Sequence, residues 1–168
     1  WHDVESLLKP GAHVLDVGVG LGKMAQALHR RGIVVDALDI SPVALDRVDT
    51  WVDERFVVGD RLPTNRYDFV LCHLVVQHVF DSDLVLEFEG IFRSLKPDGI
   101  FSFQFADSPE ALIFRQDTEA QEQGGVCRSV YDMTTLVERA GGRVVWTSPV
   151  ITFTHTAAVW YVQHAQRA

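Results

Sequence analysis

The chain has 168 residues, of which 47% are hydrophobic. This length and composition predict a single domain over residues 1–168 with one substantial buried core. The net charge of −8 argues against a general nucleic-acid-binding protein, because such proteins present a basic surface to the phosphates.

The first half of the chain alternates between apolar runs and helical patterns. Strands are predicted over residues 13–17, 33–39 and 55–60. A helix over 21–31 is closed by Gly32. Ser41 and Pro42 supply the N-cap and first turn of a second helix, which ends near Val48.

The second half continues this alternation as far as a fifth strand. A fourth strand begins within residues 67–76, and an amphipathic helix runs from Asp81 or Ser82 to Leu95. The sequence "KPDG" ends that helix, and the fifth strand follows over 100–105.

The tail departs from the alternation. Ser129 and Asp132 resemble a capping box for a helix that ends at Ala140, followed by two glycines. Strands over 143–148 and 154–163 come next with no helix between them, which predicts an antiparallel pair. The predicted fold is α/β, a Rossmann-like, doubly wound and mostly parallel sheet between two layers of helices.

One long polar segment, residues 106–129, separates the fifth strand from the last helix. It is only partly helical by pattern, over 109–118. Long insertions at the carboxyl ends of parallel strands often cover a ligand. The other interpretation is a surface excursion, and both stay open at this point.

The loop after the first strand carries Gly18, Gly20 and Gly22 directly behind Asp16. Glycines permit a sharp turn and a close approach of a ligand to the backbone. An aspartate at this point would repel the pyrophosphate of NAD but suits the cationic amino group of S-adenosylmethionine (SAM). The spacing also differs from the G-x-G-x-x-G of dinucleotide enzymes, so the loop favours SAM.

Two further acids stand at predicted strand ends. Asp39 closes the second strand and could accept both ribose hydroxyls, and Asp60 closes the third strand and could accept from the adenine amine. Each acid also has a structural interpretation: Asp16 as a loop cap, Asp39 as a cap of the following helix, Asp60 as a turn residue. Their joint placement along one crevice favours a binding role.

The ordered motifs "VLDVGVGLGKMA", "VDALDISPVAL", "VVGDRLP", "YDFVLCHLVVQHVFD" and "LKPDGIFSFQF" resemble those of class I SAM-dependent methyltransferases. The resemblance spans nearly the whole chain. It implies a seven-stranded sheet in the order 3-2-1-4-5-7-6 with strand seven antiparallel, SAM as cofactor and S-adenosylhomocysteine (SAH) as product.

The resemblance also implies a set of cofactor contacts. The methionine part would meet the first loop, the ribose and adenine would meet the second strand end, and the adenine edge would meet the third. The implied residues are Asp16, Val17, Gly18, Val19, Gly20, Asp39, Ile40, Gly59, Asp60, Arg61 and His73.

The end of the fourth strand faces the reacting methyl group in this family. His73 directly follows the strand and is expected to contact the cofactor, whereas His78 fits the "QH" of many small-molecule members. Either histidine is a candidate catalytic base, although a lone histidine is more often structural. The motif here differs from those of DNA amino- and cytosine-C5-methyltransferases, so a small-molecule acceptor is expected.

The acceptor contacts are the least determined part of the site. Typical full-length members carry more chain before the first strand, so either a lid segment is missing here or the acceptor site is open. The candidate contacts are Trp1, His2, Phe105, Phe114, Arg115, Arg128 and Tyr131.

A SAM-binding domain with a regulatory or scaffolding role and no turnover is the alternative function.

Cysteine usage and hydropathy complete the expectations. Cys72 and Cys127 form no CxxC pair or Cys/His cluster, so neither a disulfide framework nor a metal site is predicted. No run approaches about 20 apolar residues. We expect a cytoplasmic monomer or homodimer that binds neither nucleic acid nor a membrane.

Overall fold

The structure is a computed structural model that describes residues 7–107, 125–152 and 159–168. The helices are α1 (Lys23–His29), α2 (Pro42–Arg47), α3 (Asp81–Ser94) and α4 (Val130–Arg139). The strands are β1 (His13–Val17), β2 (Val34–Asp39), β3 (Arg55–Val57), β4 (Tyr67–Cys72), β5 (Leu95–Asp107), β6 (Gly142–Thr147), β7 (Ile151–Thr152) and β8 (Val159–Arg167).

All eight strands belong to one sheet, in the order β3-β2-β1-β4-β5-β8-β6, with β7 beside β8. The first five strands pair in parallel, and β8 runs antiparallel to β5, β6 and β7. The predicted fold class and strand order are confirmed, with β8 as the predicted seventh strand. The two-residue β7 is an addition that its short sequence did not indicate.

Helices cover both faces of the sheet, and each strand alternates its side chains between the two faces. Leu15 and Val17 of β1 pack with α3 and α4 on one face. Val14 packs with α1 and α2 on the other. By this alternation Asp16 points to the α1 face, at the edge where the parallel strands end.

Two predicted boundaries were wrong for reasons that the structure shows. The third strand ends at Val57 because the chain turns at Gly59, whose φ is +100°. The fourth strand ends at Cys72, directly before His73 as predicted, and Leu74 then adopts a left-handed φ of +61°. β5 begins at Leu95, the last residue of the predicted helix, and continues through the "KPDG" stretch, since Leu95 pairs with Tyr67 across the sheet.

Two predicted features lie outside the described residues: the helix over 109–118 and residues 154–158 of the last strand. The cap at Ser129 is confirmed, since its hydroxyl accepts the N–H of Asp132 at 3.1 Å. α3 has 14 residues, and the described part of the chain contains no helix that could cross a bilayer.

Candidate cofactor site

The three glycines between β1 and α1 all have left-handed φ values, +73°, +50° and +72°. A Cβ on Gly18 would collide with Val75, and one on Gly22 would collide with Val48. A Cβ on Gly20 would meet only the carbonyl oxygen of Gly18, at 3.8 Å. Gly18 and Gly22 therefore permit packing between elements, whereas Gly20 faces open space where a ligand can approach.

Asp39 joins this glycine loop to the start of α2. Its Oδ2 accepts the N–H of Gly20 at 3.0 Å, and its Oδ1 accepts the N–H of Ser41 at 2.8 Å. The Ser41 hydroxyl in turn accepts the N–H of Ala44 and caps the helix. Asp39 thus has the structural role that the sequence allowed. The two hydrogen bonds fix its carboxylate at the mouth of the crevice, and the oxygens keep lone pairs that can accept from a diol.

Asp16 lies below the same loop and is only 5% exposed. Burial raises the pKa of its carboxyl to about 7, and the charge of Asp39 adds to the increase. A backbone hydrogen bond from Ala25 acts in the opposite direction. A cationic ligand group beside Asp16 would favour the ionised form and lower this pKa.

The loop between β3 and β4 forms a second part of the site. The Asp60 carboxylate accepts the N–H of Val57 at 2.8 Å, so Asp60 closes a turn beyond the strand and not at its end. Gly59, Asp60 and Arg61 line a cavity of about 570 Å³ against α3. The residues that line this cavity do not include Asp16, Gly20 or Asp39, so the structure gathers the predicted cofactor residues in two neighbouring groups.

Apolar side chains stand on the rim of the crevice. Ile40, directly after β2, is 77% exposed, and Leu21 and Leu74 are exposed after β1 and β4. Flat apolar surfaces of this kind suit a planar base. The family resemblance implied Ile40 as a cofactor contact. The left-handed backbone of Leu74 has no signal in the local sequence.

The two candidate histidines have different surroundings. His73 is half-buried after β4, where burial, followed by the charge of His164, lowers its pKa to about 4. A neutral imidazole of this kind suits hydrogen bonding more than proton abstraction. His78 is exposed at the end of a short 3₁₀ turn, Val76–His78, and its Nε2 lies 3.4 Å from the Gln77 amide nitrogen.

The candidate acceptor contacts are dispersed. Phe105 is buried in the core beside α3 and α4. Arg128 is also buried, and its side chain donates to the Asp81 carboxylate and to two backbone carbonyls. Tyr131 is 78% exposed on α4. The remaining four candidates lie outside the described residues: Trp1, His2, Phe114 and Arg115.

A sequence profile of the family described as a methyltransferase domain matches residues 15–103. The chain belongs to this methyltransferase-domain family. The prediction of a class I SAM-dependent methyltransferase is thereby confirmed, and SAM is the cofactor of the family. The match includes Asp16, the glycine loop, Asp39 and both candidate histidines, whereas Arg128 and α4 lie beyond it.

Two relatives of this methyltransferase domain are similar over part of their length. Phosphoethanolamine N-methyltransferase 2 of Caenorhabditis elegans is 33% identical over 102 residues, 54% of this chain and 23% of the relative. A ubiquinone biosynthesis O-methyltransferase of Pseudomonas fluorescens is 29% identical over 126 residues, 68% of this chain and 53% of the relative. The chain thus spans about half or less of these proteins.

Solved structures share the fold over almost the whole methyltransferase domain. A SAM-dependent methyltransferase from Methanosarcina mazei aligns with a TM-score of 0.78 at 15% identity, covering 99% of this chain and 97% of that one. The 1,6-didemethyltoxoflavin-N1-methyltransferase of Burkholderia thailandensis, solved with SAH, aligns with a TM-score of 0.76 at 21% identity, covering 98% and 74%. These similarities support the fold.

Proposed function

We propose that this domain transfers a methyl group from SAM to an oxygen, nitrogen or carbon of a small metabolite. The observation that carries the proposal is the buried carboxyl of Asp16 beneath a glycine loop that opens at Gly20. Its pKa near 7 means that the site gains most from a ligand with a fixed cationic amino group, which SAM has and NAD lacks.

The remaining contacts follow from the placement of each residue. Asp39 would hold the ribose diol while it keeps the loop in place, and Ile40 would flank the adenine. Gly59, Asp60 and Arg61 would meet the adenine edge, which requires the base to approach the β3–β4 loop. His73 would donate or accept a hydrogen bond near the sulfonium end.

Methyl transfer is an in-line displacement. The acceptor forms a bond to the methyl carbon as the carbon–sulfur bond breaks, and the bonding electrons return to sulfur to give SAH. The protein mainly aligns the two partners and excludes water. An acceptor hydroxyl or ammonium must also lose a proton, for which the exposed His78 is the better placed of the two histidines.

Several observations support a small-molecule acceptor. The relatives carry the names of phosphoethanolamine and ubiquinone biosynthesis, and the Burkholderia enzyme was solved with 1,6-didemethyltoxoflavin bound. The net charge of −8 disfavours a nucleic-acid acceptor. Both cysteines are free, which is consistent with the reducing cytoplasm that we propose as the location of the protein. We also propose that the protein is a monomer or a homodimer.

Isothermal titration calorimetry with SAM, SAH and NAD tests the cofactor. We expect SAM and SAH to bind and NAD to give no heat. Binding of NAD without SAH would contradict the proposed function. Binding of SAH combined with no turnover on a panel of a catechol, phosphoethanolamine and glycine would instead favour the regulatory alternative.

His78→Ala is expected to lower kcat for a hydroxyl or amine acceptor by about 100- to 10,000-fold, the usual contribution of a general base. SAH affinity should stay within twofold of wild type, because His78 lies outside the cofactor contacts. His73→Ala should instead weaken SAH binding. Calorimetry and initial-rate kinetics with radiolabelled SAM separate the two effects.

His29→Ala is a matched control, since His29 is exposed at the end of α1 and lies far along the chain from the Val76–His78 turn. Its kinetics should equal those of wild type. Unchanged turnover in both His73→Ala and His78→Ala would rule out a histidine base.

A further inference from the structure

Residues 125–128 pack directly on the turn that carries His78. The N–H of Val126 donates to the carbonyl of Gln77 at 2.7 Å. Gly125 has a φ of +120°, and a Cβ added to it would lie 2.9 Å from both Cβ and Cγ of Gln77. Backbone therefore meets backbone here, and Gly125 is the residue type that allows it.

Arg128 extends the same contact with its side chain, which is almost fully buried. The guanidinium donates to the carbonyl oxygens of Val76 at 3.0 Å and of Val79 at 2.5 Å. Its Nε donates to the carboxylate of Asp81 at 2.7 Å. The two carbonyls bracket Gln77 and His78, so one planar group fixes both ends of the turn.

The turn has little support of its own. It is a three-residue 3₁₀ segment, a geometry with poorer hydrogen bonds than an α-helix. The N–H of His78 donates to Val75 at 2.8 Å, and that of Val79 donates to Val76 at a longer 3.3 Å. Contacts from elsewhere in the fold must therefore set its position.

Arg128 is itself fixed by the core. Its N–H donates to the carbonyl of Ala106 at the end of β5, at 2.8 Å. The next residue, Ser129, caps α4, and α4 buries Met133 and Leu136 against the sheet. β5 and α4 thus fix the position of Arg128, and the side chain of Arg128 in turn fixes the position of the Val76–His78 turn.

We propose that Arg128 is a positioning residue for methyl transfer: it holds the Val76–His78 turn so that His78 faces the acceptor. The role of His78 in this statement rests on the proposed function. The clamp itself, which consists of residues 125–128 on the turn, does not depend on it.

The test compares wild type with Arg128→Met and Arg128→Lys. Methionine removes all three donors. Lysine keeps the charge for Asp81 but cannot bridge both carbonyls, because an ammonium lacks the planar fork of a guanidinium. Arg139→Lys is the control, since Arg139 is an exposed arginine at the end of α4, the helix that follows Arg128.

Hydrogen exchange measured by NMR reports the clamp directly. We expect the amides of His78 and Val79 to exchange at least tenfold faster in Arg128→Met and by an intermediate factor in Arg128→Lys. The amide of Leu136 should keep its protection, which would show that the fold is intact. If the methionine variant does not fold, the lysine variant decides the result.

Kinetics separates positioning from mere loss of folded protein. We expect kcat to fall at least tenfold in Arg128→Met, with partial recovery in Arg128→Lys, while the KM for SAM and the Kd for SAH stay within twofold. Unchanged exchange at His78 and Val79 in Arg128→Met and Arg128→Lys would overturn the proposal. A wild-type protein that fails to bind SAH would contradict the proposed function instead and leave the exchange result standing.

Discussion

Asp16→Asn is expected to weaken SAH binding by about 100-fold and at the same time to stabilise the ligand-free protein. Asparagine has almost the same shape as aspartate but cannot form a charge-assisted hydrogen bond to an ammonium, a difference of about 1.5–3 kcal/mol. Calorimetry measures the affinity, and thermal or urea unfolding measures the stability. Opposite signs in the two experiments would identify a residue kept for binding at the expense of stability.

The stability effect depends on pH in a definite direction. In the folded protein the pKa of the Asp16 carboxyl is about 7, whereas in the unfolded chain it returns to the ordinary aspartate value of 3.8. The free energy of unfolding therefore falls as pH rises from about 4 to about 7, by up to about 4 kcal/mol. The free energy of unfolding of Asp16→Asn should not fall in this way. The variant should therefore exceed wild type in stability most at pH 8, and the difference should vanish below pH 4.

The binding effect has the reverse dependence. A cationic ligand stabilises ionised Asp16, so SAH affinity should increase between pH 5 and pH 7 with release of a proton. Titrations in two buffers of different ionisation enthalpy measure that proton. An affinity that is flat over this range in wild type, or equal in Asp16→Asn, would contradict the assignment of Asp16 to the amino group.

Asp39→Ala is expected to produce the second large effect, a loss of SAH affinity of more than 100-fold together with reduced stability. The substitution removes the acceptor of two backbone N–H groups, those of Gly20 and Ser41. Hydrogen bonds to charged groups contribute about 1.5–3 kcal/mol each, so unfolding should become easier by about 2–3 kcal/mol after local relaxation. The ribose contact would be lost at the same time.

Two variants accompany this measurement. Asp39→Asn keeps one acceptor oxygen and should be intermediate in both affinity and stability. Asp46→Ala removes an exposed acid from α2 whose partner, Arg55, is also exposed, and such a surface pair contributes little. An SAH affinity within threefold of wild type in Asp39→Ala would show that Asp39 has only its structural role.

The sequence predicted the parts of the site that depend on neighbouring residues. β1, the glycine loop and Asp16 are all contained in a stretch of about ten residues, so the apolar run, the turn residues and the charge can be interpreted together. The same holds for the cap at Ser129, since its hydroxyl acts on a residue three positions away.

The errors concern contacts between distant parts of the chain. Arg128 was a candidate contact of the methyl acceptor, yet its guanidinium binds a turn that lies about 50 residues earlier in the chain. A contact over this separation leaves no pattern in the local sequence. Leu95 joined β5 because Tyr67 lies opposite. Asp60 was placed at a strand end, but β3 ends at Val57, which pairs with Asp39, the last residue of β2.

The hydrogen bond between Ala106 and Arg128 joins the two points where the chain leaves β5 and where it returns to α4. Both points are anchored in the core, so we expect that the length and composition of residues 108–124 can change without moving either anchor. Insertions and deletions are tolerated best where both ends are held in this way. Sequence divergence confined to residues 108–124 would therefore leave Asp16, Gly20 and Asp39 in place.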